Sequence, residues 1–346
     1  MTPLELLYYL GYAAHRGYGT KKQKRLPAPV MSIGNITLGG TGKTPAVIAL
    51  THEAKQRGFT PCILTRGYGG KAKGPCFVSR GEGPLMNVYD AGDEAFLMAE
   101  KLKGIPVVKG QNRYEAGMFA LRNLQGRTAH PPSKWIFILD DGFQHWGLFR
   151  DMDILLVDGM NPFGSGKLLP LGYLREPVSE ISRADIIVIT NADGIVTLHP
   201  SPITHHPDLM KQIKQHNPTA PVFFSEHRPV GFISVAGDSY PLEWAKGREF
   251  YAFCGIGNPQ SFRKTLVSTG AHMKGLKTFR DHYRFTPGDM KTITADAGKA
   301  GAAWIVTTEK DIMRLRGFDL PENLVALAIE FSAEKKLYDR VFLTTP

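Results

Sequence analysis

The stretch Thr37-Leu38-Gly39-Gly40-Thr41-Gly42-Lys43-Thr44 lies between an apolar run, Pro29-Val30-Met31-Ser32-Ile33-Gly34, and a helical pattern, Ala46-Val47-Ile48-Ala49-Leu50. Strand, glycine loop, helix is the order of a phosphate-binding loop, and no other feature constrains the fold as strongly. Glycines let successive backbone N–H groups turn toward one anion. In such loops the lysine reaches the β and γ phosphates and the hydroxyl residue sits on Mg²⁺, roles that fall here on Lys43 and Thr44. Pro45 stands in the first helical turn, where its missing N–H costs nothing. The pattern departs from G-x-x-x-x-G-K-[ST] at one position, where Thr37 replaces glycine.

The rest of the chain extends that fold. Continuous apolar runs are expected as strands at 29–36, 61–65, 105–108, 135–139, 153–157 and 185–189, with helices near 45–57, 92–103 and 111–124. Continuous rather than alternating runs are the mark of parallel strands covered on both faces. The expected class is α/β: a P-loop NTPase-like, doubly wound, mostly parallel sheet with a second, smaller α/β domain. The Pro/His-rich segment 199–221 reads as a loop or hinge. Beyond it, strands are expected near 249–254, 303–307 and 325–330. A helix near 287–299 is announced by Thr286-Pro287-Gly288-Asp289.

The domain division is 1–25, an apolar and basic membrane-associating helix; 26–222, the phosphate-loop domain; and 223–346, the smaller domain, whose last segment can return to the first. A length of 346 residues with 42% hydrophobic content is ample for two cores. The formal net charge of +10 favours anionic partners. Cys62, Cys76 and Cys254 form no C-x-x-C pair, which argues against zinc and a disulfide framework.

At the N-terminus, Leu4, Leu6, Leu7, Tyr8, Tyr9, Leu10 and Tyr12 precede His15, Arg16, Lys21, Lys22, Lys24 and Arg25. The run falls short of the about 20 apolar residues that span a bilayer. Two readings stand: an interfacial segment whose basic residues meet anionic lipid, or a first helix packed on the core with a solvated linker behind it.

Trp135-Ile136-Phe137-Ile138-Leu139 ends in Asp140 and Asp141, the place where phosphate-loop enzymes hold Mg²⁺. Gly142-Phe143-Gln144-His145 continues that loop at the ligand-binding edge of the sheet. Taken alone, His145 reads as a structural, hydrogen-bonded histidine. Asp90-Ala91-Gly92-Asp93-Glu94 opens a helix. On the residues alone, Asp90 reads as its N-cap and Asp93 as the acid of a capping box; the other reading makes Asp93 a general base. Arg66, Arg113 and Arg175 follow strands, and arginine forks match phosphate oxygens, so a second anionic group is expected beside ATP. Gly164-Ser165-Gly166-Lys167 lacks the hydroxyl residue of a phosphate loop. Gly255-Ile256-Gly257-Asn258-Pro259-Gln260 lacks the third glycine of a dinucleotide turn. In Arg280-Asp281-His282-Tyr283, Asp281 is placed to orient a histidine suited to proton traffic.

As a set, these segments resemble the tetraacyldisaccharide 4'-kinase family of the Gram-negative lipid A pathway. The resemblance runs from about residue 30 to about residue 315. It is carried by Gly39-Gly40-Thr41-Gly42-Lys43-Thr44-Pro45, Thr65-Arg66-Gly67-Tyr68-Gly69, Gly92-Asp93-Glu94, Asp140-Asp141-Gly142-Phe143-Gln144-His145, Arg175-Glu176-Pro177, Gly255-Ile256-Gly257-Asn258-Pro259, Asp281-His282-Tyr283 and Thr308-Glu309-Lys310-Asp311. It implies transfer of the ATP γ-phosphoryl group to the 4'-hydroxyl of an acylated glucosamine disaccharide 1-phosphate, giving lipid IVA. It also implies Mg²⁺, two α/β domains joined by a hinge with ATP in the cleft between them, and a monomer at the cytoplasmic face of the inner membrane, peripheral or held by its N-terminus. ATP binding falls on Thr37 through Thr44, and the metal on Thr44, Asp140, Asp141 and Glu176. Asp93 is implied as the base and His282 as its partner. The acceptor side falls on Arg66, Gly67, Tyr68, Arg113, Gln144, His145 and Arg175.

Two other classes remain at this level. An ATP-switched partitioning or scaffold protein carries a signalling lysine where Leu38 stands. Nucleic acid is not expected as a partner, because no aromatic-basic reading module is evident. A soluble small-molecule kinase explains the loop and the Asp pair, but not the apolar-basic N-terminus.

Overall fold

A computed structural model describes residues 1–124, 134–191 and 207–343. The chain forms two compact units, Met1–Glu226 with Phe331–Pro346, and His227–Glu330.

The larger unit begins with α1 (Pro3–Lys21), capped by Thr2 and Glu5 in a reciprocal box. Then come β1 (Val30–Gly34), α2 (Lys43–Gln56), β2 (Thr60–Thr65), β3 (Cys76–Ser79), α3 (Val88–Ala91), α4 (Asp93–Lys101), β4 (Val107–Lys109), α5 (Arg113–Leu124), β5 (Trp135–Asp140), β6 (Met152–Asp158), β7 (Ile186–Thr190), α6 (Pro207–His216) and the first part of β8 (Val222–Ser234). Sheet order is β8-β7-β6-β1-β5-β2-β4-β3, parallel throughout except for β3 against β4. Every residue of β1, β2, β5, β6 and β7 is buried. That burial explains why those segments are unbroken apolar runs. One core lies around Leu155, Val157, Ile187, Ile189 and Phe143, and includes Leu209 and Ile213 of α6. Another lies around Leu64, Val108, Phe137 and Leu139, with Ala116 and Ala120 of α5.

Two sequence expectations change here. Of the segment 199–221, residues 199–206 lie outside the described residues, and 207–216 form α6 rather than a loop. Its Leu209 and Ile213 bury an amphipathic face. The basic residues after the N-terminal apolar run do not start a linker at His15, because α1 continues through Lys21.

The smaller unit holds the rest of β8, β9 (Ser239–Tyr240), β10 (Glu249–Cys254), α7 (Pro259–Ser268), β11 (His272–Thr278), α8 (Pro287–Lys299), β12 (Trp304–Thr308), α9 (Glu309–Arg314) and most of β13 (Leu324–Ala333). Strands β11-β10-β12-β13 run parallel, and β9 turns back antiparallel on β8. After β13, α10 (Lys335–Leu343) packs on α2 of the larger unit. Arg57 pairs with Asp339 at 2.6 Å, and Phe59 meets Phe342 at 5.7 Å between ring centroids.

Candidate active site

The loop after β1 is clamped at both ends and open in the middle. Thr37 bridges Leu174, the Leu38 N–H donates to the Tyr173 carbonyl at 2.7 Å, and the Thr190 hydroxyl donates to the Thr41 carbonyl at 3.1 Å. Between these anchors Leu38, Gly39 and Gly40 are exposed. Gly39 and Gly42 take φ values of 112° and 78°. Gly42 caps α2 without a side-chain bond, and the first turn of α2 carries no acid. The first N–H groups of the helix and the positive end of its dipole are thus left for an anion, with Lys43 and Thr44 beside them.

Lys43 Nζ meets Asn35 Oδ1 at 3.0 Å and Asp141 Oδ1 at 3.7 Å. Burial pushes its pKa down, opposed chiefly by Asp141. The loop carrying the two aspartates lies hard against β1. A Cβ on Gly34 would stand 2.6 Å from Phe143 Cβ and 2.8 Å from Phe143 N, so only glycine permits this approach. Asp140 is buried and accepts from the Thr65 hydroxyl at 2.9 Å. Burial, then Asp141 and Glu94, push its pKa up to about 6. Asp141 is half-buried. Desolvation opposes its ionisation, but Lys43, Arg175 and Arg113 outweigh it and hold the carboxyl well below the usual range.

Arg175 spans Asp141 in a fork, Nη1 to Oδ2 at 3.0 Å and Nη2 to Oδ1 at 2.9 Å, and also donates to Asn35. Its neighbour Glu176 is fully buried. Its carboxylate accepts from Arg183, from Gln144 at 2.5 Å and from the Tyr12 hydroxyl at 3.4 Å. Glu176, expected beside a metal, is thus tied to Arg183 and, through Gln144, lies next to the loop that carries Asp140 and Asp141. Through Tyr12 the group reaches α1, where Tyr8 donates to the Arg175 carbonyl at 2.9 Å and Arg16 pairs with Glu180. Tyr8, Tyr12 and Arg16, spaced by four, face the protein; Leu4, Leu6, Leu7 and Leu10 are exposed.

A second, basic group surrounds His145. Its pKa is driven down to about 3, first by burial, then by Arg113, Arg150, His15 and Arg66. Arg113 is buried, donates to the Gly110 and Gln111 carbonyls, and is pushed by burial down to about 10, so it stays charged. Arg66 and Tyr68 are exposed, and Gly67 between them is buried. Cations gathered around a neutral histidine form a place for an anion.

Asp93 is the first residue of α4, and Gly92 is the cap. The cap reading of Asp90 is therefore corrected: Asn87 caps α3, accepting from the Asp90 N–H at 3.0 Å, and Asp90 lies inside that helix. Gly92 has φ 93°, and a Cβ there would stand 2.5 Å from the Tyr68 carbonyl oxygen and 2.9 Å from Gly67 C. This contact sets the acids Asp93 and Glu94 beside the Arg66-Gly67-Tyr68 loop. Asn35, which ties Lys43 to Arg175, was missed in the sequence; its only signal is a polar residue directly after a buried strand.

In the smaller unit, His282 has φ 56°, and its N–H donates to Asp281 Oδ1 at 2.9 Å. Asp311 is fully buried and pairs with Arg314 at 2.7 Å. Asp93 and His282 belong to different units.

A family model described as tetraacyldisaccharide-1-P 4'-kinase (LpxK) matches residues 1–344. The tetraacyldisaccharide 4'-kinase of Halothermothrix orenii is 37% identical over 333 residues, covering 90% of this chain and 82% of that protein. That of Syntrophus aciditrophicus is 39% identical over 323 residues, with the same coverage of 90% and 82%. A crystal structure of LpxK from Aquifex aeolicus in complex with ATP aligns with a TM-score of 0.74 at 33% identity, covering 99% of this chain and 98% of that one.

Proposed function

We propose a mechanism from one premise: this chain belongs to the tetraacyldisaccharide-1-P 4'-kinase family. Its reaction is transfer of the ATP γ-phosphoryl group to the 4'-hydroxyl of tetraacyldisaccharide 1-phosphate, the step that forms lipid IVA. Phosphoryl transfer asks little covalent help of a protein; it needs charge neutralisation and in-line placement.

The Thr37–Thr44 loop and the N-terminus of α2 receive the triphosphate, and Lys43 neutralises its end. In this arrangement Lys43 is held by Asn35 and Asp141, groups the phosphates replace as its partners. Mg²⁺ fits the oxygen donors of Thr44 and Asp140. Burial, then Asp141 and Glu94, raise the pKa of Asp140, and such a buried cluster of carboxyls supports a cation there. When bound, the ion neutralises charge on the transferred group. Asp141 gives both its oxygens to Arg175, so it acts in this site by holding Arg175 and Lys43 in place.

Asp93 accepts the proton of the 4'-hydroxyl, and His282 is its partner. The basic group around His145, with Arg66 and Arg113, receives the phosphate of the acceptor. Gly67, Tyr68, Gln144 and Arg175 complete the acceptor side. Among the described residues no helix is long and apolar enough to cross a membrane. The exposed leucines of α1 support a peripheral seat for that helix at the cytoplasmic face of the inner membrane, by a monomer.

The observation that carries this reading is the convergence of Lys43 and Arg175 on both Asn35 and Asp141, beside the glycine loop. Purified protein, labelled ATP, Mg²⁺ and the disaccharide 1-phosphate should yield a doubly phosphorylated lipid. ATP hydrolysis with no labelled lipid overturns the reading.

A further inference from the structure

Two motifs of the smaller unit have no role in the chemistry above: Gly255-Ile256-Gly257-Asn258-Pro259 and Thr308-Glu309-Lys310-Asp311. The structure brings both to one arginine. Asp311 Oδ2 accepts from the Gly255 N–H at 3.0 Å and from the Thr308 hydroxyl at 2.8 Å. Its Oδ1 accepts from Arg314 Nη1 at 2.7 Å, and the same Nη1 donates to the Gly255 carbonyl at 2.9 Å. The pair is out of solvent, with side-chain exposures of 5% for Arg314 and 0% for Asp311. A Cβ on Gly255 would stand 3.2 Å from Tyr283 Cβ, so glycine lets the turn that carries His282 lie close. From this seat Arg314 turns Nη2 to His282 Nδ1 at 3.4 Å.

A guanidinium can only donate. The His282 Nδ1 that faces it must therefore present a lone pair, and the ring proton resides on Nε2. The backbone is equally committed. His282 sits at φ 56° with its N–H on the Asp281 carboxylate, a conformation costly to a non-glycine residue that persists only where the surroundings dictate it.

We propose that Arg314, held by Asp311 and Gly255, is a positioning residue that keeps the lone pair of His282 on Nδ1 and its ring proton on Nε2. His282 then serves as a hydrogen-bond donor that steadies a carboxylate base, and not as the group that removes the hydroxyl proton. The catalytic consequence rests on the role proposed above for His282; the tautomer assignment rests only on the smaller unit.

The test is a long-range ¹H–¹⁵N correlation spectrum of the full chain, labelled on its histidine rings, near neutral pH. His282 is assigned by loss of its signals in His282→Ala. The expected result is an unprotonated Nδ1 and a protonated Nε2 in the wild type, with a mixture of tautomers in Arg314→Lys. The lysine variant keeps the charge beside Asp311 but loses the fork. Its kcat should fall on the order of 10-fold, the scale seen when an outer partner of a functional histidine is changed. KM for ATP should stay put. A wild-type ring protonated on Nδ1 overturns the proposal without any variant. An unchanged tautomer in a folded Arg314→Lys protein overturns the role of Arg314. Full turnover by His282→Ala removes the catalytic role of the histidine while leaving the tautomer assignment standing. Failure of the tautomer assignment leaves the phosphoryl-transfer reading intact.

Discussion

Asp141–Arg175 and Asp311–Arg314 are the same chemical pair, set at 2.9 and 2.7 Å in the two units, yet they are built for different work. In the larger unit the side chains are 38% and 18% exposed, and Lys43 stands 3.7 Å from the carboxylate. In the smaller unit both partners are nearly out of solvent and satisfied by backbone groups of a distant loop. An ion pair open to water can exchange partners when a ligand arrives. A buried one cannot, because each partner would be left uncompensated in a low dielectric. Burial thus separates a pair that is free to rearrange from a pair that holds its neighbours still.

Breaking the buried pair should have the largest effect on the molecule. Arg314→Met is expected to destabilise the protein by about 3–5 kcal/mol, read by chemical denaturation. Asp141→Asn should change stability by no more than about 1 kcal/mol, as for a solvent-accessible pair. Equal losses from the two would erase the contrast. Next in size is Lys43→Ala, which should lower kcat/KM on the order of 10²- to 10³-fold with the fold retained. Steady-state kinetics with circular dichroism on the same sample decide it, and near-normal turnover counts against the phosphate-loop site.

A smaller effect is expected from pH. Asp140 must be ionised to hold a cation, and its pKa is raised to about 6 by burial, Asp141 and Glu94. Activity should therefore fall as pH drops through about 6, and added Mg²⁺ should shift that limb downward. Stability has the opposite sign for this residue. A folded pKa above the unfolded 3.8 means that ionised Asp140 costs stability as pH climbs from 3.8 toward about 6. Asp141, held low, contributes stability above 3.8 that is lost as pH falls. The profile of an Asp140→Asn variant, lacking the limb near pH 6, checks the assignment. The mildest change is Leu7→Ser on the exposed side of α1. It should weaken binding to anionic vesicles by about 10-fold, near the loss of one leucine's burial, with kcat on detergent-dispersed acceptor unchanged. Unaltered vesicle binding would take Leu7 out of the membrane-facing surface.

Much of the larger unit was legible. Buried parallel strands leave unbroken apolar runs, and the glycine loop declares itself by its neighbours. Other parts were not. Among the described residues, strand β11, His272–Thr278, pairs only with β10, and it mixes lysines with apolar residues, so no run marks it. Helix α7 starts at Asn258 and Pro259, a cap that hid inside a segment read only as a failed dinucleotide turn. Asp90 reads as a cap because it precedes the acids, whereas Asn87, three residues earlier, accepts the Asp90 N–H and caps α3. Glu176 stood beside Arg175 in sequence, but adjacent side chains pointed to opposite tasks: one to Asp141, the other to Arg183 and α1.

Local pattern alone settled that this chain forms a mostly parallel sheet with a glycine loop between β1 and α2, because glycine freedom and apolar periodicity act within a few residues. Which charged groups exchange and which are locked was decided only by the tertiary structure. Arg175 reaches an aspartate 34 residues away, and Asp311 is sealed by a loop 56 residues away. The dielectric around a charge is set by whatever packs on it, and that is not written at the charge itself.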